Sequence, residues 1–538
     1  MRIKAFTIFL LFIVVTPFPE SGRASATGPV AVPGINEAEI KTLANRAMEE
    51  FNIPGMAVGI VRNGEILYAG GHGVREVGKK GSVDDQTLFK IASNTKAFTT
   101  AALAILVDEG RVEWNAPVID YIPEFRLQDP WITAEFSVAD LLTHRSGLRR
   151  FVGDLLLWPE PNKFTESDVI RALKHFDLVS GFRTEYAYDN LMYIVAGEIV
   201  PRVTGSPWGK FVDERIMGKL DLKRCFAGVI PGKKMKNVAA PHGIIEGQLQ
   251  VIERSRIGMT PPMSAAAGGI VCSLSDMLVW VETQLAQGLT PDGNTLFSPE
   301  RNRELWKPHT WNGVSDRDYE LHGTHFSAYG LGWRLRDVHG YKEVSHTGTL
   351  AGMLSSVVMV PELRLGVVYL SNGSESDARS SVTTTLVRSF MPVEQRDWIE
   401  TYKEISRERK ESRKEEKEIS RELLVPSPDT ESPDPDRFTG HYRDPWFGDV
   451  VVSLQKGQLF WAAEKSLKLK GAMTYLRDNT FLLLWADRTV EMDALVHFQL
   501  DQQGNVTGML MNRIDEKTER SLDFEDLRLS RVKETGEP

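Results

Sequence analysis

The sequence predicts an α/β fold of the α+β kind: an antiparallel sheet flanked by helices, followed by a small C-terminal antiparallel β-barrel. Three observations carry that expectation. β-rich runs lie at residues 55–73 and 346–372 with helix-like stretches between them, so one sheet should join the start and end of a domain. Composition then shifts near residue 395 to a charged run and a Pro/acid-rich segment. From Phe438 onward the pattern becomes short β runs separated by turn residues.

From the N-terminus, residues 1–26 have a basic start (Arg2, Lys4), an apolar run from Ala5 to Val15 and the small-residue triplet Ala24-Ser25-Ala26. That order predicts a cleaved signal peptide and a secreted or periplasmic protein. The apolar run is short of the roughly 20 residues a span needs, so no membrane span is expected after cleavage. Residues 27–395 form the predicted main domain. It opens with GMAVGIVRNGEILYAGGHG, two β runs around Asn63-Gly64, a strong signal for a two-residue hairpin. IASNTKAFTTAALAILVDEG (91–110) and SLSDMLVWVETQLAQG (273–288) read as helices. HTGTLAGMLSSVVMVPELRLGVVYLSN (346–372) reads as strands with turns near Gly352 and Pro361-Glu362. In residues 396–436, the pairs Glu404–Arg407, Glu411–Lys414 and Glu418–Arg421 predict a solvated spacer helix, and VPSPDTESPDPD predicts an extended linker. Residues 437–532 form the β domain, with hairpin turns at Lys456-Gly457 and Gly504-Asn505.

The formal net charge of −9 over 538 residues argues against a nucleic-acid partner, which needs a basic face to meet phosphates. No CxxC or HExxH occurs and the eleven His residues show no ligand spacing, so neither a metal nor another cofactor is expected. Two cysteines, Cys225 and Cys272, allow one disulfide at most.

Ser93 and Lys96 sit one helical turn apart at the start of an apolar helix. A serine hydroxyl is a poor nucleophile until a base takes its proton. A lysine held near the positive helix end and partly desolvated loses proton affinity and can be that base. The Ser93 N–H is also placed to bind an oxyanion. Further on, EYAYDNLMYIVAG presents Tyr188 and Asn190 two residues apart, on one side of an extended loop. Tyr188 can pass a proton, and Asn190 can donate to and accept from a substrate amide. SHTGTLAG (345–352) puts His346 and Gly348 on one face of a strand, with Gly348 leaving room for a substrate backbone and the Thr349 N–H completing the oxyanion pair.

The ordered set Ser93-x-x-Lys96, Tyr188-x-Asn190, His346-Thr347-Gly348 resembles the serine β-lactamase-related hydrolases of the class C type. That family includes class C β-lactamases, D-alanyl-D-alanine carboxypeptidases, D-aminopeptidases and related esterases. LLTHRSGL (141–148), AAAGGIVCSLSDM (265–277) and YGLGW (329–333) agree with it, over about residues 40–390. The resemblance implies an all-helical insertion beside the sheet. It also implies Ser93 as acylated nucleophile, Lys96 as base, Tyr188 as proton shuttle, Asn190 on the substrate amide, and Ser93 and Thr349 N–H groups as oxyanion hole. Thr347 and Gly348 would line the substrate strand, while His144 and Ser146 are structural. Where β-lactamases often carry Lys, this chain has His346, which leans toward the peptidases. His346 would donate to a substrate carboxylate or to Tyr188, with activity falling above its pKa. The expected substrate is a small molecule or peptide, first a D-amino-acid-containing peptide, with a promiscuous carboxylesterase or β-lactamase as alternatives. A penicillin-binding sensor that is acylated without turnover is the alternative from another class. The C-terminal β segment resembles a lipocalin-like appendage that could cover the catalytic mouth.

Overall fold

The computed structural model describes residues 34–424, 432–490, 492–514 and 521–532. The expected signal peptide and residues 425–431 of the expected linker lie outside them, and side chains are described to residue 412 of the charged helix.

Apolar runs near both ends of the main domain build one eight-stranded antiparallel sheet. Its spatial order is Glu65–Gly73, Gly55–Arg62, Leu365–Ser371, Met353–Val360, Tyr341–Leu350, Arg334–Val338, Ser327–Tyr329, Thr310–Asn312. The predicted hairpin closes at Asn63 (φ 53°) and Gly64 (φ 83°), both left-handed as the tightest hairpin turn requires. The three central strands are buried on both faces, so their sequences read as unbroken apolar runs. Their alternate residues divide between two cores. Ala57, Val357 and Val368 face one, while Val58, Val358 and Val367 face the other. The helix Leu274–Leu285 packs on the first face, and Ser376–Arg388 with Glu37–Phe51 covers the second.

The stretch between the two halves of the sheet is largely helical and includes Thr95–Asp108, Glu166–Ala172 and Leu191–Thr204. Cys225 and Cys272 face each other across short paired strands and form a disulfide. The charged helix spans Trp398–Leu423. Its first turns are packed rather than solvated, with Trp398, Ile399 and Ile405 buried against the main domain. Among the described residues, no helix is long and apolar enough to cross a membrane.

The C-terminal strands, from Gly440–Asp444 to Leu529–Arg531, close into an eight-stranded antiparallel barrel. Alternation puts Tyr442, Val450, Trp461, Met473, Leu483, Trp485, Phe498 and Met509 inside, all buried. Phe438, Phe481 and Phe498 stack within 5.5 Å of one another, centroid to centroid.

Candidate active site

Ser93 lies in a tight turn, Ala92–Asn94, that feeds directly into the helix Thr95–Asp108. From residue 91 to residue 106 every residue is buried except Ser93, so this hydroxyl alone meets solvent. Ala92 is held in the left-handed region (φ 47°), a conformation that costs a non-glycine residue about 1–2 kcal/mol. Its neighbour Ile91 is fixed at both ends: Ile91 N–H donates to the Ile270 carbonyl (3.0 Å), and Ser355 Oγ–H donates to the Ile91 carbonyl (2.6 Å).

Lys96 is completely buried. Its Nζ lies 2.7 Å from Asn190 Oδ1, 3.0 Å from the Ala267 carbonyl and 3.2 Å from Ser93 Oγ. The first two partners only accept, while the serine hydroxyl can donate. A neutral amine therefore fits the site, giving two N–H bonds and taking the Ser93 proton on its lone pair. Burial lowers the Lys96 pKa to about 7, against a smaller opposing pull from Asp154. Loss of water is thus what lowers the proton affinity of this amine.

Tyr188 is buried, with its ring 4.8 Å from Lys96 Nζ. Burial raises its pKa to about 12, so the phenol keeps its proton at neutral pH. Asp189, not Asn190, caps the helix Leu191–Thr204, accepting from Leu191 N–H (2.8 Å) and Met192 N–H (3.4 Å). Asn190 is left to face inward, where Nδ2 donates to both oxygens of Asp154 (3.1 and 3.0 Å) while Oδ1 takes Lys96. Both ends of its amide are thus engaged inside the protein. Asp154 is fully buried, and that burial pushes its carboxyl pKa well up.

Two expectations change. Gly348 does not leave room for substrate. A Cβ there would stand 2.2 Å from the Ile91 carbonyl and 2.2 Å from Ser355 Oγ, so the vacant space is filled by the turn that carries Ser93. His346 is fully buried beneath the site: Nδ1–H donates to the Thr347 carbonyl (2.8 Å) and Nε2 accepts from Tyr329 O–H (2.9 Å). Burial and the nearby Arg334 and Lys96 charges hold it neutral, and both ring nitrogens are taken by Thr347 and Tyr329 rather than by Tyr188. Thr347 and Thr349 alternate to the accessible face. The neighbouring strand covers Tyr341–Leu350 only as far as Ser345, which leaves the edge at residues 346–350 open beside Ser93.

A model of the beta-lactamase family matches residues 40–390. The chain belongs to that family. A second model, described as a domain of unknown function, matches residues 426–531. An unguisins hydrolase of Aspergillus campestris is 25% identical over 449 residues, covering 80% of this chain and 79% of its own length. The protein flp of Staphylococcus aureus is 26% identical and covers 63% of each chain. The octameric penicillin-binding protein homologue from Pyrococcus abyssi shares the fold, with a TM-score of 0.58 at 18% identity, over 92% of this chain and 100% of its own.

Around the beta-lactamase-family site stand residues that sequence spacing did not single out. Asp154 opens a short 3-10 turn, Asp154–Leu156, with no local motif. The His144 ring packs against Tyr188 (4.2 Å) and Tyr329 (4.5 Å), and its Nδ1 accepts from Asp189 N–H (3.1 Å), which fixes the turn bearing Tyr188. Arg334 lies 5.6 Å from the Tyr188 ring, and its Nε has no partner among the described residues. Arg379 Nη1 donates to the Gly348 carbonyl (2.8 Å) and Thr349 Oγ1 (3.2 Å), anchoring the open strand edge.

Proposed function

We propose that this beta-lactamase-family serine hydrolase is an exported peptidase that cleaves D-amino-acid-containing peptides through a Ser93 acyl-enzyme. The observation that carries the acyl-enzyme is the buried Lys96 amine, stripped of water and 3.2 Å from the one accessible hydroxyl of its turn, with the Tyr188 ring packed beside the same amine. Ser93 Oγ attacks the substrate carbonyl carbon as its proton moves to Lys96 Nζ. The carbonyl oxygen, now an anion, is met by the Ser93 and Thr349 N–H groups. The C–N bond then breaks and the leaving amine takes a proton from Tyr188, which regains one from Lys96. Water attacks the ester along the same proton path in reverse, releasing the acid and restoring Ser93.

Arg334 supports a peptide substrate: a guanidinium beside Tyr188 with an unused Nε suits the free carboxylate of the leaving residue. The likeness to a protein named for hydrolysing unguisins supports hydrolysis as the outcome. Export rests on the N-terminal sequence pattern and suits the disulfide.

A panel of D-Ala-terminated peptides, their L-counterparts, nitrocefin and p-nitrophenyl esters tests the reading on wild type and Ser93→Ala. The D-peptides should give the highest kcat/KM, with a Ser93-linked acyl adduct in the mass spectrum. Full activity in Ser93→Ala overturns the acyl-enzyme. Equal rates on L-peptides overturn the substrate class, and an adduct without turnover replaces peptidase by sensor.

A further inference from the structure

The C-terminal barrel meets the main domain at several points, and one of them, residues 149–164, leads to the catalytic base. At its start, Arg149 reaches across to the barrel and meets two carboxylates, Asp523 at 2.9 Å and Asp526 at 2.5 Å. Asp523 is almost wholly buried. At its end, the Lys163 N–H donates to the Lys465 carbonyl of the barrel (2.9 Å), and the Phe164 and Phe447 rings meet at 5.5 Å. Lys465 Nζ also pairs with Asp168 (3.0 Å). Phe151 N–H donates to the Tyr188 carbonyl (2.8 Å), Asp154 receives Asn190, and Glu160 lies 3.5 Å from Lys90 and 3.3 Å from Ser264. Gly153 (φ 70°) sits in the left-handed region with its α-carbon against Leu191 and Phe176, so the chain turns closely over these side chains just before Asp154.

We infer that the barrel positions the catalytic base: Asp523 and Asp526 clamp Arg149, and the clamped stretch sets Asp154 beneath Asn190 and so sets Asn190 on Lys96. This rests on the reading of Lys96 as the base that activates Ser93. Arg149, Asp523 and Asp526 are then positioning residues acting through Asp154, and the barrel serves the chemistry without reaching the substrate. An isolated surface ion pair contributes little, but one cation shared by two carboxylates against a packed aromatic contact holds a definite geometry. A base displaced by a fraction of an ångström loses rate steeply.

The test is Ser93 acylation by p-nitrophenyl acetate, a substrate too small to reach the barrel, followed as rate against pH in the full chain. Arg149→Met should slow acylation by roughly ten- to a hundredfold. It should also move the acidic limb of the profile upward from about 7, as water enters around Lys96. Arg149→Lys should recover most of the rate, and Lys468→Ala, which breaks a pair with Asp487 inside the barrel, should change nothing. If Arg149→Met does not fold, Asp526→Asn keeps the Asp523 arm and carries the same readouts. A wild-type rate and limb in a folded clamp variant overturns the inference. So does a defect seen only as a raised KM for long peptides, which would make the barrel a mouth cover. Acylation that persists in Ser93→Ala defeats the underlying reading instead.

Discussion

Gly348→Ala isolates what the open strand contributes to the nucleophile. The added methyl would stand 2.2 Å from the Ile91 carbonyl oxygen, 2.2 Å from Ser355 Oγ and 2.9 Å from the Ala92 Cβ. A comfortable carbon–oxygen separation is about 3.5 Å, so the strand and the nucleophile turn must part by roughly 1 Å. Neither can rotate away. The obstacle is backbone on one side, and Ser355 is spent on the same Ile91 carbonyl at 2.6 Å. Overpacking of this kind costs about 1–3 kcal/mol of stability. The same displacement moves the Ser93 N–H away from the Thr349 N–H, and a 1 Å misplacement at a reacting centre costs about a hundredfold in rate. Steady-state kinetics on a D-peptide and a p-nitrophenyl ester, with a thermal melt, provide the assay. Both substrates should lose kcat/KM alike, and the melting temperature should drop by several degrees. Peptide KM alone rising, with ester acylation and melting unchanged, would refute the reasoning and return Gly348 to a substrate-facing role.

Three other predictions follow from the same geometry. Ser93 acylation should rise with pH through about 7, because Lys96 acts as base only when deprotonated and burial has lowered its pKa to that point. Below it the rate should drop about tenfold per pH unit, and since His346 stays neutral, no loss should appear above pH 6.5; stopped-flow acylation from pH 5 to 9 checks both limbs. Asn190→Leu removes one acceptor from Lys96 and leaves the buried Asp154 carboxyl without its donor, so burst kinetics should show acylation slowed by one to two orders of magnitude. Replacing both cysteines by serine reopens a 47-residue separation, which in the chain-entropy model costs about 4 kcal/mol, read by denaturant unfolding with wild type as reference.

Much of the fold is legible in local pattern. The Asn63-Gly64 turn, the apolar central strands and the Ser273-capped helix each follow from residues close in sequence, because turn dihedrals, side-chain alternation and capping are short-range effects. The charged helix misleads for the complementary reason. Charge spacing describes its exposed face, whereas Trp398, Ile399 and Ile405 bury its first turns against distant helices. His346 and Gly348 mislead similarly: alternation places them on one face, but which face meets substrate depends on what packs behind the strand.

The residue types and their order, Ser93, Lys96, Tyr188, Asn190 and the strand at His346, are properties of the sequence alone, since helical and extended spacing set which side chains share a side. What those groups do to one another belongs to the tertiary structure. Lys96 loses proton affinity because residues far along the chain exclude water around it, and Asn190 turns to it because Asp154, 36 residues earlier, holds the other end of the amide. Arg334, Arg379 and the Arg149 clamp enter the site the same way. Desolvation and long-range charge depend on the enclosing volume, which no spacing along the chain encodes.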